Sequence, residues 1–146
     1  MYLKYLGGKN LDAWVELPNK RHQAIDEIVM RFEGDDGLRY TFSFQPGFTT
    51  DGGSIPLALR WFVPSWSKDN HVLNMAYALH DACYGGELLS RRAADDLLES
   101  MLYEAGLSRF RATTVKYAVA NFASRHYGKQ FDQYEDHLFV KLVKYK

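Results

Sequence analysis

A chain of 146 residues, 47% hydrophobic and 25% charged, can bury a core and falls in the size range of one globular domain. Its 18 Lys and Arg balance 18 Asp and Glu, so there is no strong nucleic-acid signal. No apolar run is long enough for a transmembrane segment, MYLKYLGGKN lacks a signal-peptide pattern, and the lone Cys83 rules out a disulfide framework and points to a reducing cytoplasm.

The first half reads as strands. Ala13 to Leu17 forms a short strand stopped by Pro18. Ile28, Met30 and Phe32 alternate with Val29, Arg31 and Glu33, and Tyr40, Phe42 and Phe44 alternate with Arg39, Thr41 and Ser43. Between them Gly34-Asp35-Asp36-Gly37 is a turn, so the segment predicts a β-hairpin with one apolar face. FTTDGGSIP, residues 48–56, breaks this pattern and reads as a shaped loop, in which Ser54 can cap the short helix or turn LALRWFVPSW.

The second half reads as helices. Val72, Met75, Ala76, Leu79 and Cys83 recur at helical spacing, and Gly85-Gly86 suits the helix end. Ser90 can cap a second helix over 91–105 and Ser108 a third to about Tyr127. The tail HLFVKLVKYK reads as a late strand or an ordered arm. The expected fold is a single α+β domain over 1–146, with strands in about 1–47, a loop at 48–68, three helices within about 69–127 and a tail from 128.

ALHDACYGG carries the chemistry. Consecutive helix residues differ by about 100°, so His80 and Asp81 point apart and serve different tasks. The next helix has an apolar stripe of Ala94, Leu97, Leu98, Met101, Leu102 and Ala105, and Asp95 falls within it. A carboxylate on a packing face needs a partner. The short GGELLS connection makes the helices antiparallel neighbours, and His80 is then the partner of Asp95. Asp95 would hold one imidazole nitrogen and leave the other as a base. Asp81, with Asp51 and loop carbonyls, offers the hard oxygen ligands that Ca²⁺ takes. The alternatives stay open: a structural His80–Asp95 hydrogen bond, a surface Asp81 and an Asx-turn at Asp51.

Other constellations carry less. Ser54, His80 and Asp95 lack the G-x-S-x-G elbow of a nucleophilic triad. Cys83 reads as core, and His22, His71, His126 and His137 read as isolated surface residues. Arg109, Arg111, Lys116, Arg125 and Lys129 read as a solvated basic face. Trp61, Phe62, Trp66, Tyr134 and Phe139 either close the core or form a partner surface.

These motifs resemble those of two families. F-T-T-D-G-G-S-I-P at 48–56, H-D-A-C-Y at 80–84 and S-R-R-A-A-D at 90–95 resemble, in order, the signature of the phage and prophage family catalogued as domain of unknown function 1353. That resemblance implies a phage or prophage origin and synthesis in the host bacterial cytoplasm. The expected role is assembly of the virion or residence in it as a minor component, through contacts with virion proteins or self-association. More distantly, the glycine loop, H-D-x-x-Y and an aspartate on the following helix resemble phospholipase A2. It implies a Ca²⁺-dependent lipid ester hydrolase in which His80 activates water, Asp95 orients His80, Tyr84 supports Asp95, and Asp81 binds Ca²⁺. The chain departs from the secreted enzymes in its single cysteine and in the distance from the loop to His80. A third expectation is a protein that binds and blocks a host factor.

Overall fold

A computed structural model describes residues 2–50, 52, 63–64, 66–86, 88–123 and 139–146. The architecture is α+β. Strands β1 (Leu3–Lys9), β2 (Trp14–Glu16), β3 (His22–Ala24), β4 (Ile28–Gly34), β5 (Arg39–Phe44) and β6 (Thr49–Thr50) precede helices α1 (His71–Gly86), α2 (Arg91–Glu104) and α3 (Arg109–Ala123), and β7 (Val140–Tyr145) follows.

The β4–β5 hairpin forms as its alternation predicts. Ile28 faces Phe44, Met30 faces Phe42 and Phe32 faces Tyr40, and all six are buried. Gly37, at φ +81°, supplies the left-handed residue of the turn. β1 adds antiparallel to β4 and β7 to β5, giving the order β1-β4-β5-β7. The tail is thus a strand. Its alternation is weak because it lies at the edge, where Val140 is buried and Val143 and Tyr145 remain exposed.

A second sheet, β2-β3-β6, was less legible. Thr49 and Thr50 pair with Gln23 and His22, so the segment read as leaving the sheet begins inside one. Two-residue and three-residue strands carry too little periodicity to be seen before their partners are in place.

Asn70 starts α1, its side chain accepting from the Leu73 amide at 3.1 Å. Every residue from Leu73 to His80 is buried, so α1 is enclosed on all sides rather than along one stripe. Ser90 caps α2 through the Ala93 amide and Ser108 caps α3 through the Arg111 amide, each at 3.2 Å. Gly106, at φ +104°, ends α2, with the Gly106 and Leu107 amides donating back to Tyr103 and Leu102.

The Asn70 amide reaches the Ala105 carbonyl at 2.9 Å, which sets the start of α1 beside the end of α2. The helices are therefore antiparallel, and the last turns of α1 meet the first turns of α2. No helix among the described residues is long and apolar enough to cross a membrane.

Candidate functional site

The two buried polar side chains at the junction of α1 and α2 find each other. His80 Nε2 lies 2.9 Å from Asp95 Oδ1. Tyr84, one turn beyond His80, donates its hydroxyl to the same oxygen at 2.6 Å. The His80 and Tyr84 rings lie 4.3 Å apart between centroids. The His80 and Asp95 side chains are 5% and 9% exposed, so water does not compete freely for either.

The chemistry of these groups orders the protons. An ionised carboxylate only accepts, so the ring nitrogen facing Asp95 carries the hydrogen. In the neutral imidazole the lone pair then sits on Nδ1, at the opposite edge of the ring. Tyr84 fills a second acceptor position on Oδ1 and limits rotation of the carboxylate.

Asp81 faces another way, as the helical angle requires. Its Oδ2 accepts from the Thr50 hydroxyl at 2.8 Å, tying the last turns of α1 to β6 at the mouth of the glycine loop. It is thus not a solvated surface carboxylate. Two further side chains on α1 hold the segment that leads into the helix. Asn74 accepts from the Ser67 amide at 2.8 Å and donates to the Ser67 carbonyl at 2.6 Å, while Tyr77 donates to the Pro64 carbonyl at 3.1 Å. Asn74, Tyr77 and Asp81 follow helical spacing, so one face of α1 anchors the chain on either side of residues 53–62. That spacing is present in the sequence, but the partners of Asn74 and Tyr77 are backbone atoms of a loop and that of Asp81 is a hydroxyl on a two-residue strand, so none leaves a pattern of its own.

Asp51, expected beside Asp81, lies outside the described residues, as do Ser54, Trp61, Phe62, Arg125, His126, Lys129, Tyr134 and His137. Among the described residues no group of three His, Cys, Asp or Glu side chains converges as a metal site. Asp81 is a hard oxygen donor of the kind Ca²⁺ accepts, and its Oδ2 already accepts from the Thr50 hydroxyl.

His22 and Lys116 differ from their sequence reading, whereas Trp66, Phe139 and Cys83 take a reading the sequence offered. His22 is no isolated surface residue. Its ring stacks on Trp66 at 3.8 Å and 11°, and its buried Nδ1 meets no hydrogen-bond partner among the described residues. Desolvation lowers its pKa, with Glu16 acting in the opposite direction. Trp66 also meets Trp14 edge-on at 5.3 Å, and Phe139 packs against the core beside Gly47, so these two aromatics close onto their own chain. Lys116, placed on a solvated basic face, bridges Asp96 at 2.8 Å and Glu99 at 3.5 Å. Cys83 is fully buried, and desolvation pushes its thiol far above the usual range, which leaves it core rather than nucleophile.

α2 separates two environments. Asp95 faces α1, whereas Asp96, Glu99 and Tyr103 line a cleft of about 500 Å³ against α3 and the β4–β5 turn. The His80–Asp95–Tyr84 network is no part of that cleft's lining.

Fold and site together define an α+β protein in which an imidazole, a carboxylate and a phenol join two antiparallel helices, while the residue after the imidazole reaches a glycine-bearing turn. The chain belongs to the family described as protein of unknown function, DUF1353, which matches residues 27–119. That match runs from β4 through α3 and contains Thr50, His80, Asp81, Tyr84 and Asp95. Comparison with the curated proteins and with the solved structures finds no match.

Proposed function

We propose that the chain is a phage- or prophage-encoded hydrolase of lipid esters. The observation that carries this reading is the single oxygen, Asp95 Oδ1, that meets both His80 Nε2 and the Tyr84 hydroxyl. This is the relay a water-activating histidine requires: a carboxylate orients the ring, a phenol steadies the carboxylate, and Nδ1 takes a proton from water as it attacks the ester carbonyl. The protonated ring then returns that proton to the departing alcohol, and Asp95 supports the imidazolium meanwhile. Asp81, with Asp51, would hold Ca²⁺, whose positive charge when bound stabilises an oxyanion. Calorimetric titration with Ca²⁺, comparing wild type with Asp81→Asn, tests the metal. Fatty acid release from phospholipid vesicles, with His80→Ala as control, tests the reaction. Absence of Ca²⁺ binding at millimolar concentration, or hydrolysis unchanged in His80→Ala, would sink it.

A second reading rests on a different observation. The network is nearly closed to solvent, as a clasp between helices needs, and α3 exposes Phe110 at 73% and Tyr117 at 61%, two turns apart on one face. On this reading the protein serves virion assembly, or stays in the virion, through protein contacts. It expects no turnover in any ester assay, full stability cost from His80→Ala, and loss of particle yield from Phe110→Ser with the fold intact.

A further inference from the structure

The register of the four-stranded sheet gathers charge that is scattered along the sequence. Residues directly opposite each other on antiparallel strands share a face. The face that carries Met30, Phe32 and Phe42 is buried. Across the other face, the pairing puts Lys4, Glu33 and Arg39 in one row, Arg31 in the next, and Lys9 and Lys141 at the two ends of the third. All six are exposed. Strands stand about 4.8 Å apart and rows about 6.8 Å apart, so these charges lie within about 20 Å of one another. Among the described residues the one ion pair on this face joins Arg39 to Glu33, at 3.6 Å. Five cations against one anion leave the face strongly positive.

The chain as a whole is neutral, with 18 Lys and Arg against 18 Asp and Glu, so an excess of cations on one surface is balanced by anions on another. The cleft beside α2 carries part of that balance. Asp35, Asp96, Glu99 and Glu104 line it against the single guanidinium of Arg109, and Lys116, bridging Asp96 and Glu99, offsets one carboxylate more. The cleft therefore stays negative. Its walls also hold the exposed rings of Tyr2 and Tyr103, and the basic face holds exposed Val143 and Tyr145. Both surfaces thus offer apolar area to bury along with their charges.

The position of the cleft selects the occupant of the face. The Tyr2 amide donates to Asp35 Oδ2 at 3.1 Å just beyond the ends of β1 and β4, so the cleft opens at the border of the basic face. A nucleic acid strand or an anionic bilayer laid across the face would bring its phosphates against those carboxylates. A compact partner with its own acidic hollow avoids that repulsion, and this chain is such a partner. We propose that the exposed face of the β1-β4-β5-β7 sheet docks a second copy of this chain through that copy's acidic cleft. The inference stands apart from the hydrolase reading, because His80, Asp81 and Asp95 lie on neither surface. It gives the reading through protein contacts a defined partner.

The test is sedimentation equilibrium of the full chain at high micromolar concentration, in 0.1 M and in 1 M NaCl, where the screening length falls from about 10 to about 3 Å. Three proteins are compared, each first shown folded by circular dichroism: wild type, the face variant Lys9→Gln/Arg31→Gln/Lys141→Gln, and the cleft variant Asp35→Asn/Glu104→Gln. Wild type should associate at the lower salt and weaken about tenfold or more at the higher. Each variant alone should weaken by a similar factor. Their equimolar mixture should recover a pair, because the face variant keeps its cleft and the cleft variant keeps its face. Wild type that stays monomeric at the lower salt overturns the proposal, and retention on anionic vesicles or on a single-stranded oligonucleotide, lost in the face variant, then assigns the face to that polyanion. Association indifferent to salt, or a mixture that stays monomeric, overturns it as well. None of these outcomes touches ester hydrolysis. If a variant does not fold, carbodiimide cross-linking of mixed isotope-labelled and unlabelled wild type decides: bonds from Lys9 or Lys141 of one copy to Asp35 or Glu104 of another are expected, and cross-links between copies confined to other residues reject the proposal.

Discussion

Tyr84→Phe isolates one contact of the buried network. The ring volume is kept, so no cavity opens and the change reduces to one hydroxyl. That hydroxyl lies 2.6 Å from Asp95 Oδ1, in a site where the tyrosine is buried. A hydrogen bond to a charged group contributes ~1.5–3 kcal/mol. Asp95 keeps its contact with His80 in the variant, so the expected loss is near the lower bound, about 2 kcal/mol. In a chain of this length that corresponds to a fall in Tm of about 4–8 °C. Asp95→Ala should cost more, about 3–5 kcal/mol, because two buried donors then lose their acceptor. In that background the contact between the tyrosine hydroxyl and Asp95 is gone, so Tyr84→Phe should cost less than it does in the wild type. Thermal and urea unfolding of the four proteins measures the cycle, with a coupling of about 1 kcal/mol or more expected between the two positions. A Tyr84→Phe loss that is the same with and without Asp95 would refute the network as described.

Two further outcomes follow from the electrostatics. Burial depresses the pKa of His22, so its neutral form contributes stability fully present above about pH 6.5 and lost as pH falls through the lower folded value; His22→Phe can keep the stack on Trp66 and should flatten the decline in urea midpoint between pH 7 and 5, and an unchanged slope refutes this. The hydrogen bond from Lys116 to Asp96, with lesser help from Glu99, raises its pKa, so its contribution is present below the usual lysine value and lost as pH rises through the folded one; Lys116→Met should cost ~0.5–1 kcal/mol at low salt and less in 1 M NaCl, and a loss indifferent to salt would contradict an ionic origin.

The sequence by itself determined the elements whose periodicity is long. The β4–β5 alternation, the helix over ALHDACYGG, the cap at Ser90 and the stop at Gly106 depend on neighbours within a few residues, so local chemistry suffices to specify them. The pairing of His80 with Asp95 was also legible, because a buried carboxylate demands a partner and a short connection limits where that partner lies. Tertiary structure alone decided the rest. The β2-β3-β6 sheet consists of segments too short to signal themselves, and it exists through pairing across distant positions. Strand β7 joins β5 from about a hundred residues away, a contact that no local window contains. His22 reads as solvent-facing until Trp66 covers it, and Thr50 reads as loop until β3 and α1 enclose it. Asp81 is the clearest case: the helical angle dictates that it diverges from His80, but which oxygen or nitrogen it meets depends on where the glycine turn comes to rest. Burial is a property of the assembled chain, and a polar side chain acquires its task when the fold removes water from one side of it.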